Sequence, residues 1–334
     1  MKLFASILFS LFFCGSSIAE NQFSETHSFA NESFSSLSSI RAVIFDMDGV
    51  FRRGFDAIDF SDSLIKWMEE NSINGMILTN ECRYTPSQLR KDLHHMNIPY
   101  PDSWDIYTSA LAARDFFQDH LIESKPIFVY VVGEGGLKKA LNQVNRESFF
   151  VMEELPEDNK LKKCSLYVVF GSVDRIKIWD LENATKWINA GAKVIMTCPD
   201  ISDPSSKGSS LIGMPNHLVH MIKMCAPCAP YSIGKPHPFM IKKALQLLRE
   251  KDPTLQDKEI LFVGDSLDTD IRAAFETGIP SALVLSGNTR LEGVSYHAIE
   301  ANFIFPSVKE ILDAFISSKG ELGLEHVKSH SRSP

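Results

Sequence analysis

Asp46-Met47-Asp48-Gly49-Val50 sets two carboxylates two residues apart, directly after the apolar run Ala42-Val43-Ile44-Phe45. If that run is a strand, both carboxylates can face one cleft while Met47 turns away. Gly49 lets the chain bend sharply there at little steric cost. One carboxylate can then act as a nucleophile and the other as a general acid and base. Taken alone, the pattern also fits a calcium loop or a plain turn.

Three further groups carry compatible chemistry. The apolar run Gly75-Met76-Ile77-Leu78 ends in Thr79-Asn80, where a hydroxyl and the backbone N–H groups of a turn can hold a phosphoryl oxygen. A helix cap would use the same residues. Gly234-Lys235-Pro236-His237-Pro238 opens a helical pattern, with Pro236 in its first turn and Lys235 at an N-terminus that already favours anions. Gly264-Asp265-Ser266-Leu267-Asp268-Thr269-Asp270 follows another apolar run. Its acids can complete an all-oxygen magnesium site, or cap the helix that follows.

The elements that must position these groups are legible. Ala42–Phe45, Gly75–Leu78, Ile127–Val132, Leu166–Phe170, Val194–Met196, Ile260–Val263 and Ala282–Leu285 are continuous apolar runs, as expected of strands covered on both faces. Amphipathic stretches lie between them, at Ser61–Glu70, Pro86–Met96, Pro238–Leu248 and Asp268–Thr277. Strands alternating with helices predict an α/β fold with a doubly wound parallel sheet, and its chemistry belongs at the carboxyl edge of the strands. All four groups fall at a strand end or a helix start.

In this order the groups resemble the haloacid dehalogenase (HAD) superfamily, and within it the NagD and para-nitrophenyl phosphatase branch. Asp46 through Gly54, Leu78-Thr79-Asn80, Thr108-Ser109-Ala110, Gly133 through Leu137 and Gly264 through Ile271 carry the resemblance, which covers roughly residues 40 to 316. It implies a Rossmann-like core in two parts, 40–123 and 232–318, with an α/β cap domain inserted at 124–231. It also implies a phosphomonoester hydrolase in which Asp46 attacks phosphorus and Asp48 serves as acid and base. Mg2+ is expected on the carboxylates of Asp46 and Asp265 and the backbone carbonyl of Asp48, with Asp270 acting mainly through water. Thr79, Asn80 and Lys235 are expected to bind the transferring phosphoryl group. The expected partner is a small phosphorylated metabolite, such as a sugar phosphate or nucleotide. The alternative is a non-catalytic phosphoester-binding or interaction protein on the same fold.

The chain departs from the branch in the cap. The usual Thr-Asn-Pro-Asp turn reads Thr197-Cys198-Pro199-Asp200, and the glycine-rich return segment reads Gly213-Met214-Pro215-Asn216-His217. Cys198, Asp200 and His217 are therefore the expected substrate-reading residues.

Composition and ends set the remaining bounds. The 334 residues are 44% hydrophobic and 23% charged, with net charge -8. An acidic chain argues against nucleic acid as the main partner, yet a local pocket can still attract phosphate. Lys2, the apolar run Leu3–Phe13 and Ser17-Ile18-Ala19 predict a cleaved signal peptide over 1–19, too short to span a membrane. Export to a periplasm or the exterior follows if it is cleaved, and a cytoplasmic location otherwise. No stable membrane span is expected after cleavage. Residues 20–39 read as a Ser- and Asn-rich linker, and 319–334 as a disordered polar tail. The cap is the surface through which a homo-oligomer would form. Of six cysteines, Cys14 leaves with the signal, and Cys82, Cys164, Cys198, Cys225 and Cys228 form no disulfide framework. Cys225-Ala-Pro-Cys228 lacks a second pair for zinc and a thioredoxin-like context, and reads as a structural pair open to oxidation on export.

Overall fold

The computed structural model describes residues 37–330, apart from 122–123 and 205–209. Its first sheet is all parallel and has six strands. In spatial order they are Phe303–Phe305, Ser281–Val284, Ile260–Gly264, Ala42–Phe45, Asn74–Thr79 and Asp105–Thr108. Side chains of one strand alternate between two cores. Ala42 and Ile44 join Ala112, Ala244 and Ala273 of the helices Ser109–Asp115, Pro238–Lys251 and Arg272–Thr277. Val43 and Phe45 join Leu64, Leu89 and Ile311 of Ser61–Glu70, Pro86–His95 and Val308–His330. Burial on both faces is why the central strands read as unbroken apolar runs, each Val, Ile or Phe contributing about 1.5–3 kcal/mol. The chain leaves Ala42–Phe45 toward one edge of the sheet and later returns through Ile260–Gly264 toward the other. The two strands therefore flank a topological switch point, where a crevice opens beyond their carboxyl ends.

A second parallel sheet of five strands lies between the two halves of the first in sequence. Its order is Tyr231–Ser232, Lys193–Met196, Ser165–Phe170, Ile127–Val132 and Phe149–Met152. One face packs Val168, Phe170 and Val194 against the helices Ile178–Asn189 and Met214–Lys223. The other places Val129, Tyr167 and Val169 in the apolar cluster that holds Phe117 and Met76 of the first unit. The second sheet is thereby joined to the first by a continuous core. Two short antiparallel hairpins stand apart from both sheets, Arg52–Arg53 with Asp56–Ala57 and Ser202–Pro204 with Ser210–Ile212.

Two expectations about the ends change. Leu37–Ser39, assigned to the linker, is a short helical turn with Leu37 buried against the Val308–His330 helix. That helix continues through the segment expected to be disordered from Lys319 as far as His330. Glu, Leu and Lys between 319 and 328 are good helix formers, and no proline interrupts before Pro334. Lys319 itself reaches the Asn71 carbonyl at 3.3 Å and sits over the Trp67 ring. The signal peptide, most of the linker and residues 331–334 lie outside the described residues.

Candidate active site

Asp46 is the first residue beyond Ala42–Phe45, and its N–H still donates to the Val263 carbonyl of the neighbouring strand. The strand therefore delivers its carboxylate to the switch-point crevice. Gly49, at φ +81°, turns the chain away, and a Cβ there would lie 2.2 Å from Asp265 Oδ2. A side chain is excluded by both conformation and space. Lys235 Nζ lies 2.6 Å from Asp46 Oδ1 and 2.8 Å from Asp270 Oδ1, with only 1% of the residue exposed. The helix behind Lys235 starts later than expected. His237 caps it, accepting the Phe239 N–H on Nδ1, and Pro238 is its first residue.

Asp46, Asp265 and Asp270 bring a carboxylate oxygen each within 4.8 Å of one another. Burial raises the Asp46 pKa to about 8 against the opposing pull of Lys235. Burial likewise raises Asp265 well above the usual carboxylate range, with Asp270 and Asp46 adding to the shift. One lysine thus faces three buried acids. A hard dication with oxygen ligands relieves that crowding, and the donor set fits Mg2+. Asp265 is held by the Asn288 N–H on Oδ2 at 2.6 Å. Asp270 is already occupied, Oδ1 by Lys235 and Oδ2 by the N–H groups of Asp265 and Ser266 at 3.1 Å each. Its carboxylate positions its neighbours.

The side chain of Asp48 lies outside this cluster. Arg52 grips it from four residues on, Nε to Oδ1 at 2.9 Å and Nη2 to Oδ2 at 3.4 Å. The Asp-to-Arg spacing was the sequence signal for this pair, and it went unread. Thr79 is buried and its Oγ1 accepts the Glu81 N–H at 3.1 Å, which leaves its own hydrogen to donate. The Asn80 side chain does different work from that expected. Its Oδ1 accepts the Lys235 N–H at 2.9 Å, and its Nδ2 donates to the Lys235 carbonyl at 3.1 Å and to Asp200 at 2.9 and 3.1 Å. The amide fixes the lysine backbone and ties it to the second unit.

Among the expected substrate-reading residues, Cys198 and Asp200 line the cleft. Burial raises Asp200 to about 6, opposed by the hydrogen bond from Asn80. His217 does not line it. It lies on the first turn of Met214–Lys223, largely exposed, with Nδ1 bonded to the Gly213 carbonyl at 2.8 Å. The helix start turns it outward.

Sequence reasoning also missed a bridge across the cleft, in which Arg83 contacts Glu81 and, from the second unit, Asp174, at 2.6 Å each. The two units enclose a cavity of 1220 Å³ with Asp46 and Lys235 on its wall.

Residues 43–147 match a haloacid dehalogenase-like hydrolase model, and 232–311 a HAD-hydrolase-like model. An acid sugar phosphatase of Staphylococcus epidermidis is 30% identical over 268 residues, 79% of this chain and 94% of that protein. The chain belongs to the haloacid dehalogenase-like hydrolases. A hypothetical protein of Pyrococcus horikoshii superposes on this HAD hydrolase with TM-score 0.68 at 32% identity, over 82% of this chain and 99% of that one. NagD from E. coli K-12 does so at TM-score 0.66 and 28% identity, over 80% and 97%. With a thermostable NPPase of Geobacillus stearothermophilus, at TM-score 0.66 and 26% identity over 81% and 97%, these place the chain in the NagD and nitrophenyl phosphatase branch, as a phosphatase with the HAD core and cap.

Proposed function

We propose that this HAD phosphatase hydrolyses small phosphomonoesters through an aspartyl-phosphate on Asp46, with Mg2+ as cofactor. The observation that carries the proposal is Lys235 Nζ at 2.6 Å from the Asp46 carboxylate, within a cluster of buried acids. Asp46 Oδ attacks phosphorus in line while the ester bond to the leaving oxygen breaks. Asp48 gives that oxygen its proton, then takes a proton from the water that hydrolyses the acyl phosphate. Two unit charges 4 Å apart at an effective dielectric of 20 repel by about 4 kcal/mol, so the attack of a carboxylate on a phosphate dianion needs cations. Lys235 supplies one, and the Thr79 hydroxyl donates to a phosphoryl oxygen. Asp46 and Asp265, with the backbone carbonyl of Asp48, would hold Mg2+, which supplies the remaining positive charge when bound. Asp48 favours ester hydrolysis, because an alcohol leaving group needs a proton.

Sugar phosphates are the first substrates to try, given the names of the relatives. The test is turnover of sugar phosphates, nucleoside monophosphates and para-nitrophenyl phosphate, with Mg2+ and with excess chelator. Turnover that persists in chelator would contradict the cofactor assignment. Export is part of the proposal and rests on Lys2, Leu3–Phe13 and Ser17-Ile18-Ala19. N-terminal sequencing of protein from the native cell should begin near Glu20. Among the described residues no helix is long and apolar enough to cross a membrane.

A further inference from the structure

We infer that the leaving-group half of the cleft selects an alcohol with no negative charge of its own, presenting a flat apolar ring face. The inference rests on the phosphatase reading above and narrows its substrate class.

The charge pattern gives the first argument. Away from Asp46 the cleft wall carries Arg52, Arg83 and Arg272, and each is already matched. Arg52 is paired with Asp48 at 2.9 Å and Arg272 with Glu276 at 2.8 Å. Arg83 faces two acids, Glu81 and Asp174. Lys235, the remaining lysine or arginine of the wall among the described residues, is locked between Asp46 and Asp270. His237 adds no charge, because its Nδ1 accepts a backbone N–H and burial lowers its pKa. Asp92 and Asp268 add further negative charge to the same wall. A second phosphate or a carboxylate on the substrate would have to strip a guanidinium from its partner or approach Asp92 and Asp268, the latter bonded to His297 Nε2 at 3.1 Å. Charged groups set against their like in this way act chiefly on specificity.

The apolar pattern gives the second. Phe55, at the tip of the hairpin Arg52–Arg53 with Asp56–Ala57, is 79% exposed yet lines the cleft. Ile201 from the second unit lines it too, at 69% exposed. Tyr231 adds an aromatic face and a directed donor. Its hydroxyl lies 2.8 Å from His237 Nε2, and the occupied Nδ1 puts the imidazole proton on Nε2. That proton goes to the tyrosine oxygen, so the phenolic hydrogen is left for a neutral acceptor such as a hydroxyl or ring oxygen. Exposed apolar side chains on the wall of a cleft mark a ligand surface.

A sugar ring and an aryl ring share this chemistry, and matched substrates separate them. With the full chain and Mg2+, glucose 1-phosphate is compared with glucuronic acid 1-phosphate, a pyranose in both cases, and phenyl phosphate with 4-carboxyphenyl phosphate. The uncharged member of each pair should have a kcat/KM about tenfold higher or more, the cost of one like-charge approach near a surface. The faster of the two uncharged esters identifies the ring type. Asp174→Asn removes one of the two acids on Arg83. It should raise turnover of the carboxylated esters by about threefold or more while leaving the uncharged ones within twofold. That gain cannot come from unfolding. Equal kcat/KM within the pairs, or a preference for the charged member, would overturn the inference and leave the phosphatase reading intact. No turnover of any member would overturn both.

Discussion

Lys235→Met tests the electrostatic core of the site. Methionine keeps most of the length and volume of the side chain and removes its charge. In the wild type the ammonium is 2.6 Å from Asp46 and 2.8 Å from Asp270, and almost wholly buried. A unit charge about 4 Å from a phosphoryl oxygen is worth about 4 kcal/mol at an effective dielectric of 20. At about 1.4 kcal/mol per decade of rate, its loss lowers kcat roughly a thousandfold. The same change leaves two buried carboxylates without their cation, which costs about 3–5 kcal/mol of stability in metal-free protein. Mg2+ should restore much of that stability but not the rate, since the role proposed for the lysine is to neutralise phosphate as well as its protein partners. The assay is kcat on para-nitrophenyl phosphate at saturating Mg2+, with circular dichroism and thermal unfolding with and without the metal. A folded variant that keeps kcat within tenfold of the wild type would refute the role given to Lys235.

Three further outcomes follow from the geometry. In Gly287→Ala the new Cβ would lie 1.8 Å from Asp265 Oδ2, so that carboxylate must move and Mg2+ affinity should fall about 10- to 100-fold. An unchanged affinity in a calorimetric titration would remove Asp265 from the metal set. Asn80→Ala strips partners from the Lys235 backbone and from Asp200, and should cost about 2–4 kcal/mol in urea unfolding. A change under about 0.5 kcal/mol would show that the amide does not tie the two units together. His237 is held neutral in the fold, with a pKa below that of the unfolded chain, so the unfolded state takes up the proton first as pH falls. Its contribution to stability is present above about pH 6.5 and is lost as pH falls through the folded value. His237→Asn, which caps the helix without titrating, should flatten the decline in stability between about pH 7 and 5, and an unaltered slope would count against it.

The parallel core was legible because its central strands are covered on both faces and must be apolar throughout, as Ala42–Phe45 and Ile260–Gly264 are. Among the edge strands, Asp105–Thr108 gave no comparable run, whereas Phe303–Phe305, and Phe149–Met152 of the second sheet, are apolar throughout and were passed over. They are three or four residues long and partly exposed. Asp46, Asp265, Asp270 and Lys235 were readable because strand ends and a helix start concentrate them in one crevice. What Asn80 does was not readable, since its partners Asp200 and Lys235 stand 120 and 155 residues away. The pairing of Arg83 with Asp174 was hidden for the same reason. That His217 stands off the cleft wall was not readable, because its orientation depends on where the helix Met214–Lys223 starts, and a shift of one residue there turns a side chain through about 100°.

The most direct test is to find the phosphate on the protein. Enzyme mixed with para-nitrophenyl phosphate and Mg2+ is quenched in acid within the first turnover, digested and mapped by mass spectrometry. The account predicts an acid-stable phosphopeptide modified at Asp46 and absent from Asp46→Asn, which should be folded and inactive. Phosphate on any other residue, or full turnover by folded Asp46→Asn protein, would contradict it.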